Sequence, residues 1–225
     1  INRTQLNERV IMTSTLTVVS VQVGKPKTLN LGRRQVSTGI HKRPSGAPIH
    51  VGEHGVSGDA VCDTRHHGGA DQAVYVYLMA DYEYWSRQYQ REFTPGEFGE
   101  NITITGGPDY EWKVGDRLQF DEVHIEVTAP RIPCGVLEAS IGIKHFSAAF
   151  AKANRSGFYA RVLNAGRIGP GEKGVLTQSA FDVTVKAMLN ANYGPPSRDV
   201  LETLVAAPID ARSRKKFEQA LSTMG

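Results

Sequence analysis

The chain has 225 residues, of which 40% are hydrophobic and 22% charged, with a formal net charge of +3. These proportions fit a globular protein built as one large domain or as a domain with an appendage. The mildly basic balance tolerates an anionic ligand but is no nucleic-acid footprint by itself. Only Cys62 and Cys134 are present, which excludes a disulfide scaffold while leaving a single bridge open. No apolar stretch approaches the ~18 residues of a membrane span. The N-terminus lacks a secretory pattern, so the expectation is a cytoplasmic protein with reduced thiols. The chain begins at Ile1, and Met12 is a candidate natural start. Residues 1–14 are therefore read as a tail without function.

Thr15 to Val23 is β-branched and apolar, a strand closed by Gly24-Lys25-Pro26. From Gly39 to Gly58 the chain is rich in Gly, Pro and His, with Lys42 and Arg43 near its head. No helical or strand period is visible there, so this stretch is expected to be a long loop lining a site. Arg65-His66-His67-Gly68-Gly69-Ala70-Asp71-Gln72 follows. Consecutive glycines let backbone N–H groups converge on an anion, and the basic flank adds charge. A tight turn between strands is the commoner use of Gly-Gly. Asp71 cannot be another anion contact, so it orients the loop or accepts from a ligand N–H. The His50, His54, His66 and His67 spacing fits no familiar zinc pattern, and no Walker or dinucleotide glycine pattern occurs.

Ala73 to Leu78 reads as a strand, and Tyr82, Trp85 and Tyr89 as one face of a helix with Asp81 as its cap. Gly99-Glu100-Asn101 leads into a strand at Ile102–Thr105, and Gly115-Asp116 reads as a hairpin turn. Val123, Ile125 and Val127 alternate with His124, Glu126 and Thr128, a half-buried strand running into Pro130-Arg131-Ile132-Pro133-Cys134-Gly135. The prolines stiffen the backbone before Cys134 and Gly135 opens the approach after it. With a helix starting near Val136, Cys134 sits at its positive end beside Arg131, and both favour the thiolate. A thiolate serves as nucleophile, redox group or soft-metal ligand, whereas most unpaired Cys are inert core residues. Locally both readings stand. Ile143, Phe146 and Phe150 recur at helical spacing, Gly157–Val162 is a strand carrying Arg161, and Val175-Leu176 a short strand.

Beyond Phe181 three helical stripes follow, around Val185/Met188/Leu189, Leu201/Leu204/Val205 and Phe217/Leu221/Met224. Ser197 and Asp210 are candidate N-caps. Arg212, Arg214, Lys215 and Lys216 on the last helix form a basic run, read as a solvated face or a docking surface.

Together, His67-Gly68-Gly69-Ala70-Asp71-Gln72-Ala73, Gly99-Glu100-Asn101-Ile102, Gly115-Asp116, Pro130–Cys134 and Gly157–Val162 occur in the order seen in MOSC-domain proteins. The chain most resembles the short YiiM-like branch, with a MOSC domain over 15–178 and a three-helix extension over 180–225. The resemblance implies a mainly β fold, barrel-like, with peripheral helices, that binds the molybdenum cofactor, a molybdopterin bearing a dithiolene and a phosphate. It implies Cys134 as the thiolate ligand of molybdenum. His67, Gly68, Gly69 and Asp71 match the cofactor-holding loop, Asn101 the Gly-Glu-Asn motif and Arg161 the arginine of the later strand. Arg131 adjoins the metal ligand, where it could hold phosphate or substrate. Many relatives carry Tyr-Lys after the Cys, where this chain has Gly135-Val136. Relatives often carry Pro and Arg where it has Ala70 and Gln72. Lys42 and Arg43 are expected to compensate for the missing loop arginine.

The implied activity is a two-electron reduction of small N-hydroxylated compounds, nucleobases among them, as a detoxifying oxidoreductase that is pyridoxal-phosphate-independent. Two cysteines cannot build an iron–sulfur cluster, and no flavin or nicotinamide fingerprint occurs. An external electron-donating reductase is therefore expected, with no membrane association and no stable nucleic-acid binding. The alternative is a sulfur or cofactor carrier that uses Cys134 without turnover.

Overall fold

A computed structural model describes residues 13–108 and 111–224. In chain order the strands are β1 (Thr13–Gly24), β2 (Lys27–Leu31), β3 (Arg34–Thr38), β4 (Lys42–Pro44), β5 (Ile49–Gly52), β6 (Gly55–Val56), β7 (Val74–Leu78), β8 (Ile102–Gly106), β9 (Arg117–Gln119), β10 (His124–Pro130), β11 (Phe158–Asn164), β12 (Gly166–Ile168) and β13 (Lys173–Thr177). The helices are α1 (Met79–Tyr89), α2 (Gly135–Ile141), α3 (Phe146–Ala153), α4 (Val185–Asn190), α5 (Arg198–Ala206) and α6 (Ala211–Ser222). No helix among the described residues is long and apolar enough to cross a membrane.

The main sheet runs β13-β9-β10-β11-β7-β8-β1-β4, and β1 also pairs with β13 from Thr13↔Thr177 to Thr17↔Lys173. This extra pairing brings the two ends of the strand order together in a strongly curved sheet that is not a closed barrel, a mainly β form like the one the family resemblance implies. Its inside is filled by Leu16, Val18, Val76, Ile102, Ile104, Leu118, Ile125, Val127, Phe158 and Ala160. Successive strand residues face opposite sides, so Phe158 and Ala160 enter that core while Tyr159 and Arg161 point out of it. The outer face is covered twice. On one side α1, α2 and α3 bury Tyr75, Tyr77, Tyr82, Trp85, Phe98, Phe146 and Phe150. On the other, α4, α5 and α6 bury Met188, Leu201, Leu204 and Phe217 against Val114, Ala129 and Val183. Six residues of α4 or nine of α5 would not hold a helix alone, so this packing is what keeps them folded. Both expected caps form, with Ser197 Oγ accepting from the Val200 N–H and Asp210 from the Arg212 and Ser213 N–H groups.

Two expectations are corrected. The stretch 39–58 is not an unstructured loop but carries β4, β5 and β6, whose two to four residues are too short to display a period. Pro44 is tolerated because β4 lies at the sheet edge. Asp81 does not cap α1. Leu78 occupies that position, while the Asp81 carboxylate is ion-paired to Arg155 at 2.6 Å inside the first turn.

Candidate active site

Strand β10 ends at Pro130, and four residues later Cys134 stands in extended geometry as the N-cap of α2. The sulfur is half-buried. Burial pushes its pKa up, but the His67 ring directed at it, the Arg131 charge and the N–H groups of Leu137 and Val136 outweigh that, bringing it down to about 6. Behind it, Arg131 is 4% exposed. Its guanidinium donates to the Ile132 carbonyl at 3.1 Å and lies 5.6 Å from the centre of the Tyr75 ring. Among the described residues no carboxylate lies within ion-pair distance of it. A buried cation is normally paired, and the anionic group this chain offers Arg131 is the Cys134 thiolate.

The His67 imidazole sits between two elements. Its Nδ1 lies 3.3 Å from the Tyr159 hydroxyl on β11, while His66 turns away to Asp63 at 2.8 Å. Tyr159 is half-buried, and desolvation of its hydroxyl pushes the pKa up despite the opposing charge of Arg131. The loop continues through Gly68 and Gly69 at φ 73° and 86°, a left-handed pair that only glycine adopts without strain. His66, His67, Pro130, Ile132, Tyr159 and Ser213 are among the residues lining a small recess at this loop.

Asp71 orients this loop. Its carboxylate accepts from Arg161 Nε at 3.0 Å and from the Ala211 N–H at 2.9 Å. Arg161 also pairs with Glu126 at 3.1 Å and donates to the Pro208 and Ile209 carbonyls. Its fork is therefore engaged by the protein, tying main sheet, glycine loop and extension together. A cleft of about 500 Å³ lies alongside, lined in part by Asp71, Arg161, Arg214 and Lys215.

Lys42 and Asn101 converge elsewhere. Lys42 forms a buried ion pair with Asp59, and the Asn101 amide donates to the same carboxylate at 2.9 Å. Burial lowers the Lys42 pKa against the pull of Asp59, with Arg131 close enough to lower it further. Lys42 therefore faces the Arg131 side of the fold. Arg43 is exposed on β4. The Asn101 side-chain oxygen accepts from the Tyr75 N–H at 3.3 Å, so the motif asparagine braces β7. Its neighbour Glu100 is fully buried, one oxygen receiving Tyr82, Gly96 and Thr103.

The structure thus brings Cys134, Arg131, His67 and the glycine loop together, with Lys42 within electrostatic reach of Arg131. It sets Asn101, Asp71 and Arg161 as braces and leaves Arg43 on the surface. Tyr159 and Arg212 were missed in the sequence. Tyr159 was findable, because it is two residues before Arg161 and strand alternation puts both on one face. Arg212 carried no signal beyond its place in a basic run.

The chain is 35% identical over 172 residues to the uncharacterized protein YflK of Bacillus subtilis (strain 168), spanning 72% of this chain and 78% of that one. The family model described as the MOSC domain matches residues 63–174, from the glycine loop to β13. The chain belongs to the MOSC-domain family, in its YiiM-like branch. Its fold matches the crystal structure of YiiM from Geobacillus stearothermophilus with a TM-score of 0.76 and 30% identity, covering 92% of this chain and 99% of that one. A Gibberella moniliformis (strain M3125 / FGSC 7600) protein named "Reductase" is 29% identical over 159 residues, 69% of this chain but 28% of that protein.

MOSC proteins are a molybdenum-cofactor-associated family, and the residues present fit that group. Cys134 supplies a soft, readily ionised sulfur suited to a thiophilic metal. Arg131 donates to the Ile132 carbonyl and to the Cys134 sulfur, and its five-donor fork has further capacity for an anion. The Gly68 and Gly69 N–H groups take part in no hydrogen bond among the described residues. No cluster of three His, Cys, Asp or Glu residues that could hold a metal ion on protein ligands alone is found among the described residues.

Proposed function

We propose that this MOSC protein is a molybdenum-cofactor-dependent oxidoreductase that reduces small N-hydroxylated compounds, N-hydroxylated nucleobases among them. The observation that carries the reading is the buried Arg131 with no carboxylate partner, set against a cysteine that ionises at about 6. A core cysteine without a role would be expected near the ordinary thiol value or above it. The name of the Gibberella relative points the same way.

Cys134 would be the protein ligand of the metal, Arg131 and the glycine loop would hold anionic parts of the cofactor, and the Lys42–Asp59 pair braces the fold on the Arg131 side. When bound, the cofactor supplies the two-electron redox chemistry that removes the N–OH oxygen. The protein's own part is to keep the ligand ionised and a proton donor close. Burial keeps the Tyr159 hydroxyl protonated, so it donates to His67 Nδ1 and leaves the Nε2–H for the side of the sulfur. A separate reductase is the electron source in this reading, since the sequence carries no flavin or nicotinamide fingerprint and two cysteines are too few for an iron–sulfur cluster.

The test is metal analysis and turnover on protein from a cofactor-competent host. Stoichiometric molybdenum and reduction of an N-hydroxylated base by a small artificial donor are expected. Molybdenum without turnover of any N-hydroxylated compound would favour the cofactor-carrier reading instead, and protein lacking molybdenum would overturn both of these and leave only a sulfur carrier.

A further inference from the structure

The family match ends at residue 174, so it assigns nothing to the three helices that follow. Their most extensive polar contact with the site is made by one residue. The Arg212 guanidinium, at the start of α6, donates to the carbonyls of Gly68 at 2.9 Å, Thr64 at 3.2 Å and His67 at 3.3 Å, and to Gln72 Oε1 at 3.2 Å. The same helix end gives the Ala211 N–H to Asp71. One planar fork therefore gathers three carbonyls of a single loop, a task for which its fixed donor geometry suits it and a lysine ammonium does not.

We propose that Arg212 is a positioning residue that turns the glycine loop into an anion-binding donor pair. A trans peptide sends its C=O and N–H in opposite directions. Holding the His67 and Gly68 carbonyls on Arg212 therefore directs the N–H groups of Gly68 and Gly69 away from α6, as an adjacent pair. Both N–H groups are without a protein acceptor among the described residues. The consecutive positive φ values at these glycines allow the arrangement. The extension is thus part of the anion site although it contributes no group that touches the anion. As the site of an anionic cofactor this rests on the function proposed above, but as an anion site it does not.

The experiment uses the metal-free full chain, inorganic phosphate as probe, and the amide resonances of Gly68 and Gly69 as readout. In the wild type these two resonances shift saturably with phosphate. Arg212→Gln weakens that binding tenfold or more and speeds amide exchange across residues 64–72, while exchange in α5 and α6 stays as it was. Lys215→Gln, on the same helix without a partner, leaves binding unchanged. Arg212→Lys, which keeps the charge but not the fork, falls between. If Arg212→Gln also loosens α5 and α6, the lysine variant decides, and full binding there overturns the proposal. Absence of a phosphate shift in the wild type, or equal binding in wild type and Arg212→Gln, overturns it as well. No step needs turnover, so failure of the reductase reading would be seen separately.

Discussion

Consider removing the Arg131 charge from metal-free protein in which Cys62 is replaced by Ser, so that Cys134 is the one thiol left. With a pKa of about 6, Cys134 is ~90% thiolate at pH 7, against ~3% for an ordinary thiol near 8.5. That is about a thirtyfold gain in reactive species. Nucleophilicity falls as the pKa falls, with a Brønsted slope of about 0.4–0.5, and over ~2.5 units this removes about tenfold. The net gain in alkylation rate at pH 7 is therefore only about threefold, and a single-pH assay would miss it. The pH profile of iodoacetamide alkylation is decisive, with a midpoint expected at about 6. Arg131→Gln removes an opposing charge close to the sulfur, which should raise the midpoint by about one unit or more, and His67→Ala should raise it too. A wild-type midpoint near the ordinary thiol value, or one that ignores Arg131→Gln, would refute the reasoning. Stability supplies a second check. The folded pKa is depressed, so the thiolate contributes stability that is fully present above the unfolded value and lost as pH falls through the folded one. The Tm advantage of the protein over its Cys134→Ser form should shrink between pH ~8.5 and ~6.

Cys134→Ala should abolish reduction of N-hydroxylated substrate while leaving the thermal transition in place, whereas Cys62→Ser, exposed and near Ser37, should change neither metal content nor turnover. Arg161→Ala takes one partner each from Asp71 and Glu126, which keep the Ala211 N–H and Arg117 respectively, so it should cost about 1–2 kcal/mol, about 2–8 °C in Tm by calorimetry. Loss of molybdenum with an unchanged Tm would instead place Arg161 against the cofactor. Burial raises the Glu100 pKa against its hydrogen bonds to Tyr82, Gly96 and Thr103. A raised carboxyl stabilises the fold below its unfolded value and ceases to do so as pH rises through the folded one. Wild-type Tm should therefore decline relative to Glu100→Gln as pH climbs from about 4.5, and parallel Tm curves would show that Glu100 is not the group responsible.

The longer strands of the main sheet and five of the six helices were legible, most of them from a period as in Val123/Ile125/Val127 or Tyr82/Trp85/Tyr89, while α2 rested on the helix start after Cys134 and the three-residue β9 was not read. The segments without a period were not: β2 and β3 form a separate two-stranded hairpin of mostly exposed residues, and β4 to β6 are too short to show one. For the site, Pro130–Cys134 was readable because prolines, a cysteine and a helix start constrain each other within six residues. Whether a charged residue faces the ligand or the protein was not readable. Lys42, Asn101 and Arg161 each have partners more than 15 residues away in sequence, and only the fold shows that Asp59, Asp71 and Glu126 hold them.

The basic run at 212–216 bears on how the protein takes up electrons. Arg212 is engaged by the glycine loop, and Arg214 donates to the Val205 and Ala207 carbonyls, closing the end of α5. Lys216 ties Asn192 at 2.7 Å, leaving Lys215 as the one cation of the run without a partner among the described residues. A single exposed charge steers association weakly, and salt screens it beyond about 8 Å at physiological ionic strength. Lys215→Gln should therefore slow turnover with a donor protein by less than about twofold at physiological salt. Arg214→Gln should lower Tm and reduce turnover with donor protein and small reductant alike, because it loosens the helix against which α6 packs. If Arg214→Gln slowed only the donor-protein reaction, with Tm and small-reductant turnover intact, the run would be a docking face after all. The donor would otherwise have to be recognised through the surface around Cys134 itself, where Ile132 and Tyr193 stand exposed and Tyr193 lies within electrostatic reach of both Arg131 and Cys134.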